Sequence, residues 1–76
     1  MQELVAHIAG ALVDNPEQIK VSTSENDDTI GIELTVAQED LGKVIGKQGR
    51  TARAMRSLLS ATAARDNKKS RLDILE

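Results

Sequence analysis

The stretch VIGKQGRTARAMRSLL, residues 44–59, sets Gly46 and Gly49 three positions apart with Lys47 and Gln48 between them, and follows them with Arg50, Arg53 and Arg56. The chemistry such residues can do is the binding of an anion. Glycine lets the backbone turn tightly and approach a ligand with no Cβ in the way. A helix that begins just after such a loop offers unpaired N–H groups and the positive end of its dipole, both of which attract phosphate. Lys47, Arg50 and Arg53 add charge beside that end, and a phosphodiester backbone suits the combination. Taken alone, the glycines read more plainly as a helix C-cap at Gly46 and a turn residue at Gly49. The basic context and the order of the surrounding elements favour the anion site.

Other phosphate-binding loops fail on the same residues. A Walker A loop needs four residues between its glycines and then Lys-Ser or Lys-Thr, whereas three residues separate Gly42 from Gly46 and Lys47 is followed by Gln48. A dinucleotide fingerprint follows a strand, and this loop follows a helical segment. Aromatic residues are wholly missing, so the stacking platforms of RRM sheets and of most single-strand-binding OB folds cannot be built. Among common RNA modules, a GXXG clamp survives.

The elements that must position this loop read as follows. Leu4, Val5, Ile8, Ala9 and Leu12 recur at helical spacing from Gln2 to Asp14, and Asn15-Pro16 stops them. His7 lies at the edge of that stripe, as a surface or half-buried residue. Ile19, Val21 and Thr23 alternate; after the polar group Ser24–Asp28, Ile30, Ile32, Leu34 and Val36 alternate again, which predicts two strands joined as a hairpin. Glu39 and Asp40 sit where a helix N-terminus favours negative charge. A short helix with Leu41, Val44 and Ile45 follows, and Gly46 ends it. From Arg50 to about Arg65, Ala52, Met55, Leu58, Leu59 and Ala63 mark one apolar stripe, with Arg50 and Arg53 opposite and Arg56 at its flank. Asp66–Ser70 reads as a polar loop and Arg71–Leu75 as a last strand. The predicted order is α-β-β-α-α-β, an α+β arrangement.

Size and composition bound the rest. A chain of 76 residues fits one compact module with a modest core, so a single domain over 1–76 is expected. Cysteine is absent and histidine occurs once, which removes disulfides, thiol nucleophiles and any His/Cys metal cluster; no metal or cofactor is expected. No apolar run approaches the roughly 18 residues of a membrane span, and Gln2 and Glu3 open the chain where a signal peptide would be basic, so a cytosolic protein is expected. The net charge of −2 conceals a division. Met1 to Gly42 carries one base against nine acids, a balance of −8, while Lys43 to Glu76 carries nine bases against three acids, a balance of +6. Such segregation points to a polyanionic ligand on the second half, the plainer reading being a solvated helix face.

Together these residues resemble a known family, the KH domain, and within it the small bacterial stand-alone KH proteins of the KhpA type. The resemblance covers essentially the whole chain: LVDNPEQIKV near the start, LTVAQEDLGKVIGKQGRTARAMRSLL in the middle and a short closing strand. It implies the type II arrangement, in which two helices flank the GXXG loop and pack on one face of a three-stranded sheet. It also implies a groove for about four single-stranded nucleotides. One wall is then the short helix, the loop Gly46–Gly49 and the start of the helix at Arg50; the other is the last strand and the loop before it. On this reading the N–H groups of Lys47, Gln48 and Gly49 face phosphates, and the Lys47 side chain and Arg50 supply charge. Gly42 leaves room for bases, and Ile45 offers an apolar surface in place of stacking. Lys68, Lys69 and Arg71 border the far wall, and Leu41 and Val44 belong to the core.

No nucleophile and base are placed together by the sequence, so a non-catalytic RNA-binding module is expected. The competing reading is an adaptor that uses the KH fold for protein assembly and touches RNA weakly. Ala54, Ala61 and Ala64 give the long helix a small-residue surface on which a second helix could lie. A core this small gains from further burial between chains, so a homodimer with its seam near Ala61–Ala64 is expected. The resemblance implies self-association as well, and pairing with a larger KH-containing partner, KhpB.

Overall fold

The structure is a computed structural model, and it describes residues 2–75. In chain order it contains α1 (Gln2–Leu12), β1 (Lys20–Asn26), β2 (Thr29–Thr35), α2 (Leu41–Ile45), α3 (Arg50–Ala64) and β3 (Lys69–Leu75). Single 3-10 turns occupy Pro16–Gln18, Gln38–Asp40 and Lys47–Gly49. This is the α+β order expected from the alternation of helical and strand spacing.

The sheet runs β1-β2-β3, with β1 and β2 antiparallel and β2 and β3 parallel. A parallel pair needs a crossover, and α2 and α3 supply it. Ile32 and Leu34 of β2 and Leu72 of β3 turn to the helices and meet Val5, Val44, Met55 and Leu59 in one buried cluster. The alternate residues of the sheet face away from that cluster, and Ser22, Glu33 and Arg71 among them are exposed. The helices therefore cover one face, because only that face is apolar.

Two strand boundaries differ from the expected ones, while α3 ends where expected. β1 continues through Ser24, Glu25 and Asn26, which were expected to lie in the connection; they pair with Gly31, Ile30 and Thr29, and only Asp27-Asp28 turns. Polar residues suffice there because β1 is an edge strand, exposed along most of its length. β3 begins at Lys69, inside the expected loop, because the Lys69 N–H donates to the Asp28 carbonyl at 2.7 Å and extends the parallel ladder. α3 stops at a Schellman motif: Asn67 has φ 57°, the Lys68 N–H donates to Ala63 O at 3.0 Å, and the Asn67 N–H donates to Ala64 O at 3.0 Å.

The stripe of α3 is corrected at one position. Ala52, Met55, Leu59 and Ala63 are buried as expected, but Leu58 is 51% exposed. At about 100° per residue, Leu58 lies roughly a quarter turn off the centre of that stripe, beside Ala54 and Ala61. Val44 is fully buried and Leu41 packs partly buried against the core, so the short α2 is anchored as its spacing suggests.

Candidate nucleic-acid interface

The Gly46–Gly49 loop joins α2 to α3 and takes its shape from three residues of positive φ: Gly46 (78°), Gln48 (58°) and Gly49 (74°). At Gly46, with ψ 170°, the backbone lies where L-residues scarcely go. A Cβ there would overlap Thr51 Oγ1 and stand 2.8 Å from the Thr51 nitrogen. At Gly49 a Cβ would meet nothing, so that glycine is required by conformation alone. Gly46 thus does more than cap a helix, although its N–H does close α2 by donating to Gly42 O at 2.9 Å.

Within the loop, the Gly49 N–H donates to Gly46 O at 3.1 Å and is not free for a ligand, contrary to the expected set of three donors. The N–H groups of Lys47 and Gln48 have no backbone acceptor among the described residues. Arg50 and Arg53 fold back on the loop, Arg50 donating to Gln48 Oε1 and Arg53 to Gln48 O, each at 3.5 Å. Lys47, Arg50 and Arg53 are all exposed, and among the described residues no carboxylate lies within 4.0 Å of any of them. Among the described residues, three cations without a carboxylate partner and two N–H donors without a backbone acceptor therefore surround the loop. Beside them, Ile45 is 37% exposed and Gly42 faces open space.

The structure divides the candidate residues into two groups. Gly42, Ile45, Gly46, Lys47, Gln48, Gly49, Arg50 and Arg53 are contiguous around the loop. Lys68 stands at the other end of α3, a helix of 15 residues or about 22 Å, where its ammonium is paired with Glu25. That pairing raises the Lys68 pKa, with burial opposing it. Lys69 and Arg71 lie on the sheet face turned away from the helices. The Arg71 guanidinium pairs with Asp73 at 3.3 Å and crosses over Gly31, whose missing Cβ would stand 3.3 Å from Arg71 Nη2.

Two features of the site's support escape the sequence patterns. Arg56 donates from Nε and Nη2 to the Leu72 carbonyl, at 3.4 and 3.3 Å, and so braces the free edge of β3 against α3. Asp40, just before α2, is 1% exposed. Its Oδ1 accepts the Asp14 N–H at 3.2 Å, and its Oδ2 accepts the Asn15 N–H and Asn15 Nδ2, both at 3.0 Å. Asn15 Nδ2 also reaches Glu39 Oε1 at 2.8 Å, and Lys43 bridges Asp14 and Asp40. Burial alone would push the Asp40 carboxyl up, but these hydrogen bonds and the Lys43 charge outweigh it and hold the pKa below the ordinary value of 3.8. The Asp14 carboxylate in turn raises the Lys43 pKa, so Lys43 is a fixed cation engaged on the protein itself. The adjacent Asn-Pro and the acid before the short helix were visible in sequence, but nothing local links them.

An α-β-β-α-α-β chain with a positive-φ GXXG loop between two helices has the features of a KH domain. The family model of the KhpA/KhpB KH domain matches residues 2–74, and the chain belongs to that family. It is 50% identical to the RNA-binding protein KhpA of Halalkalibacterium halodurans over 76 residues, the whole of both chains. It is 49% identical to the RNA-binding protein KhpA of Chlamydia trachomatis over all of this chain and 97% of that one. The RNA-binding protein KhpA of Listeria monocytogenes is 45% identical over the full length of both. Among the described residues no helix is long and apolar enough to cross a membrane, and no group of His, Cys, Asp or Glu could hold a metal ion.

Proposed function

We propose that this chain is a non-catalytic RNA-binding protein, working in the cytoplasm as one KH unit, that grips about four nucleotides of single-stranded RNA beside its GXXG loop. The observation that carries the reading is the presence at Gly46–Gly49 of exposed cations with no carboxylate partner, and of N–H groups with no backbone acceptor, among the described residues. Its relatives, named as RNA-binding proteins, support it. Lys47, Arg50 and Arg53 neutralise phosphates, the Lys47 and Gln48 N–H groups hold one of them, and bases lie over Gly42 and Ile45. Lys68 precedes β3, and Lys69 and Arg71 lie on its face turned away from the helices; Lys68 and Arg71 already face carboxylates and contribute little to phosphate affinity. A grip without catalysis suits RNA chaperoning or post-transcriptional regulation.

Replacing Lys47 and Gln48 by aspartate, with both glycines kept, tests this. The change sets two carboxylates where phosphate is to enter, and affinity should fall at least roughly tenfold, or about 1.4 kcal/mol. The melting temperature should hardly move, since both residues are exposed. Unchanged affinity in the folded variant contradicts the clamp.

The same reading includes assembly. Exposed Leu58, flanked on α3 by Ala54 and Ala61, supports self-association through the outer face of that helix. The pairing of KhpA with KhpB in the family's description supports KhpB as a partner.

A further inference from the structure

We infer that Asp40 is a positioning residue of the RNA groove: its buried carboxylate locks the start of α2 onto the Asp14-Asn15 turn after α1, and so fixes how α2 presents the GXXG loop. This deepens the RNA-binding reading and rests on it. α2 has only five residues, and its apolar hold on the core is one fully buried side chain, Val44, and one partly buried, Leu41, which leaves so short a cylinder weakly fixed about its own axis. Asp40 adds a polar anchor. Its two oxygens take three donors from Asp14 and Asn15, with the Lys43 ammonium 3.7 Å from Oδ1.

The latch joins residues 25 and 26 positions apart in sequence. It faces α2 from outside the groove, while Gly42 and Ile45 are exposed on the helix and the loop follows within six residues of Asp40. A helix held before its start by a carboxylate and near its C-terminal end by Val44 has one orientation, and Gly46 inherits it. A wall fixed before binding spares the ligand the cost of ordering it. Nothing about Asp40 suggests contact with RNA, since it is buried and anionic. Its effect must pass through α2.

The test is Asp40→Asn in the full chain, which keeps the volume but removes the charge and turns an amide donor toward N–H groups. The first readout uses no RNA: the amide resonances of Lys47, Gln48 and Gly49 should shift in the ligand-free variant. The second is affinity for a fluorescein-labelled pool of short single-stranded RNA of random sequence, which should fall roughly fivefold in protein shown folded by its melt. Asn15→Ala, at a half-buried turn position, should move the same amides in the same direction by less, and it decides the matter if Asp40→Asn fails to fold. A lowered melting temperature with unmoved loop amides and unchanged affinity would make Asp40 a stability residue only and overturn the proposal. Absence of RNA binding by the unaltered protein would sink the RNA-binding reading instead, while the ligand-free amides would still report on the latch.

Discussion

Gly46 and Gly42 stand at opposite ends of the same short helix and answer to opposite constraints. At Gly46 both the dihedral angles and the Thr51 backbone forbid a side chain. Gly46→Ala should therefore cost about 2–3 kcal/mol of stability, read as a lower midpoint in urea. At Gly42 a methyl group meets nothing. There, Gly42→Ala should stabilise the free protein by roughly 0.5–1 kcal/mol through lower backbone entropy in the unfolded chain. The same methyl group would occupy the space assigned to bases, so RNA affinity should fall as the melting temperature rises. A Gly42→Ala protein that is both more stable and an equally good binder would remove bases from that surface. At this scale the sequence was informative: a glycine pair with lysine and glutamine between is a local pattern, and its geometry depends on neighbours within five residues.

At the scale of elements, what the sequence showed was period, and what it hid was partnership. Val5, Val44 and Met55 occupy the core because helical spacing puts them on the buried side. Leu58 was misplaced because an apolar residue adjoining a stripe looks like part of it, and only the helix's rotation against β3 settles which side is covered. Ser24, Glu25 and Asn26 looked like a connection because strand propensity is a preference for a half-buried surface, whereas an edge strand needs only a ladder to join. The Asp40 latch could not be read at all, since it forms between α1 and α2 across a hairpin. It does have a consequence for pH. Because the folded Asp40 pKa lies below 3.8, the unfolded chain takes up the proton first as pH falls. The latch's contribution is therefore complete above pH 3.8 and is lost as pH drops through the lower folded value. Urea midpoints measured across that acid window should fall more steeply for the unaltered protein than for Asp40→Asn, the two curves converging at the acid end.

For the whole molecule the segregation of charge is less complete in space than in sequence. The acidic first half does not simply offset the basic second half: Asp14 and Asp40 engage Lys43, and Glu25 engages Lys68. Partners 29 and 43 residues apart, Asp14 with Lys43 and Glu25 with Lys68, cannot be counted from composition. What they leave unpaired around the loop is Lys47, Arg50 and Arg53. If those three meet phosphates on a single strand, the logarithm of the binding constant should fall against log salt with a slope of about −2, at ~0.7 per contact. A slope near zero with retained affinity would place the footprint elsewhere.

If RNA is held at the Gly46–Gly49 loop, titrating isotope-labelled protein with single-stranded RNA will report it at the amides of the loop itself. The amide resonances of Lys47 and Gln48 should move furthest and saturate together with those of Gly42 and Ile45, while those of Lys68 and Arg71 stay close to their free positions. Saturating shifts confined to Lys68, Arg71 and the open face of the sheet, with Lys47 and Gln48 unmoved, would contradict it.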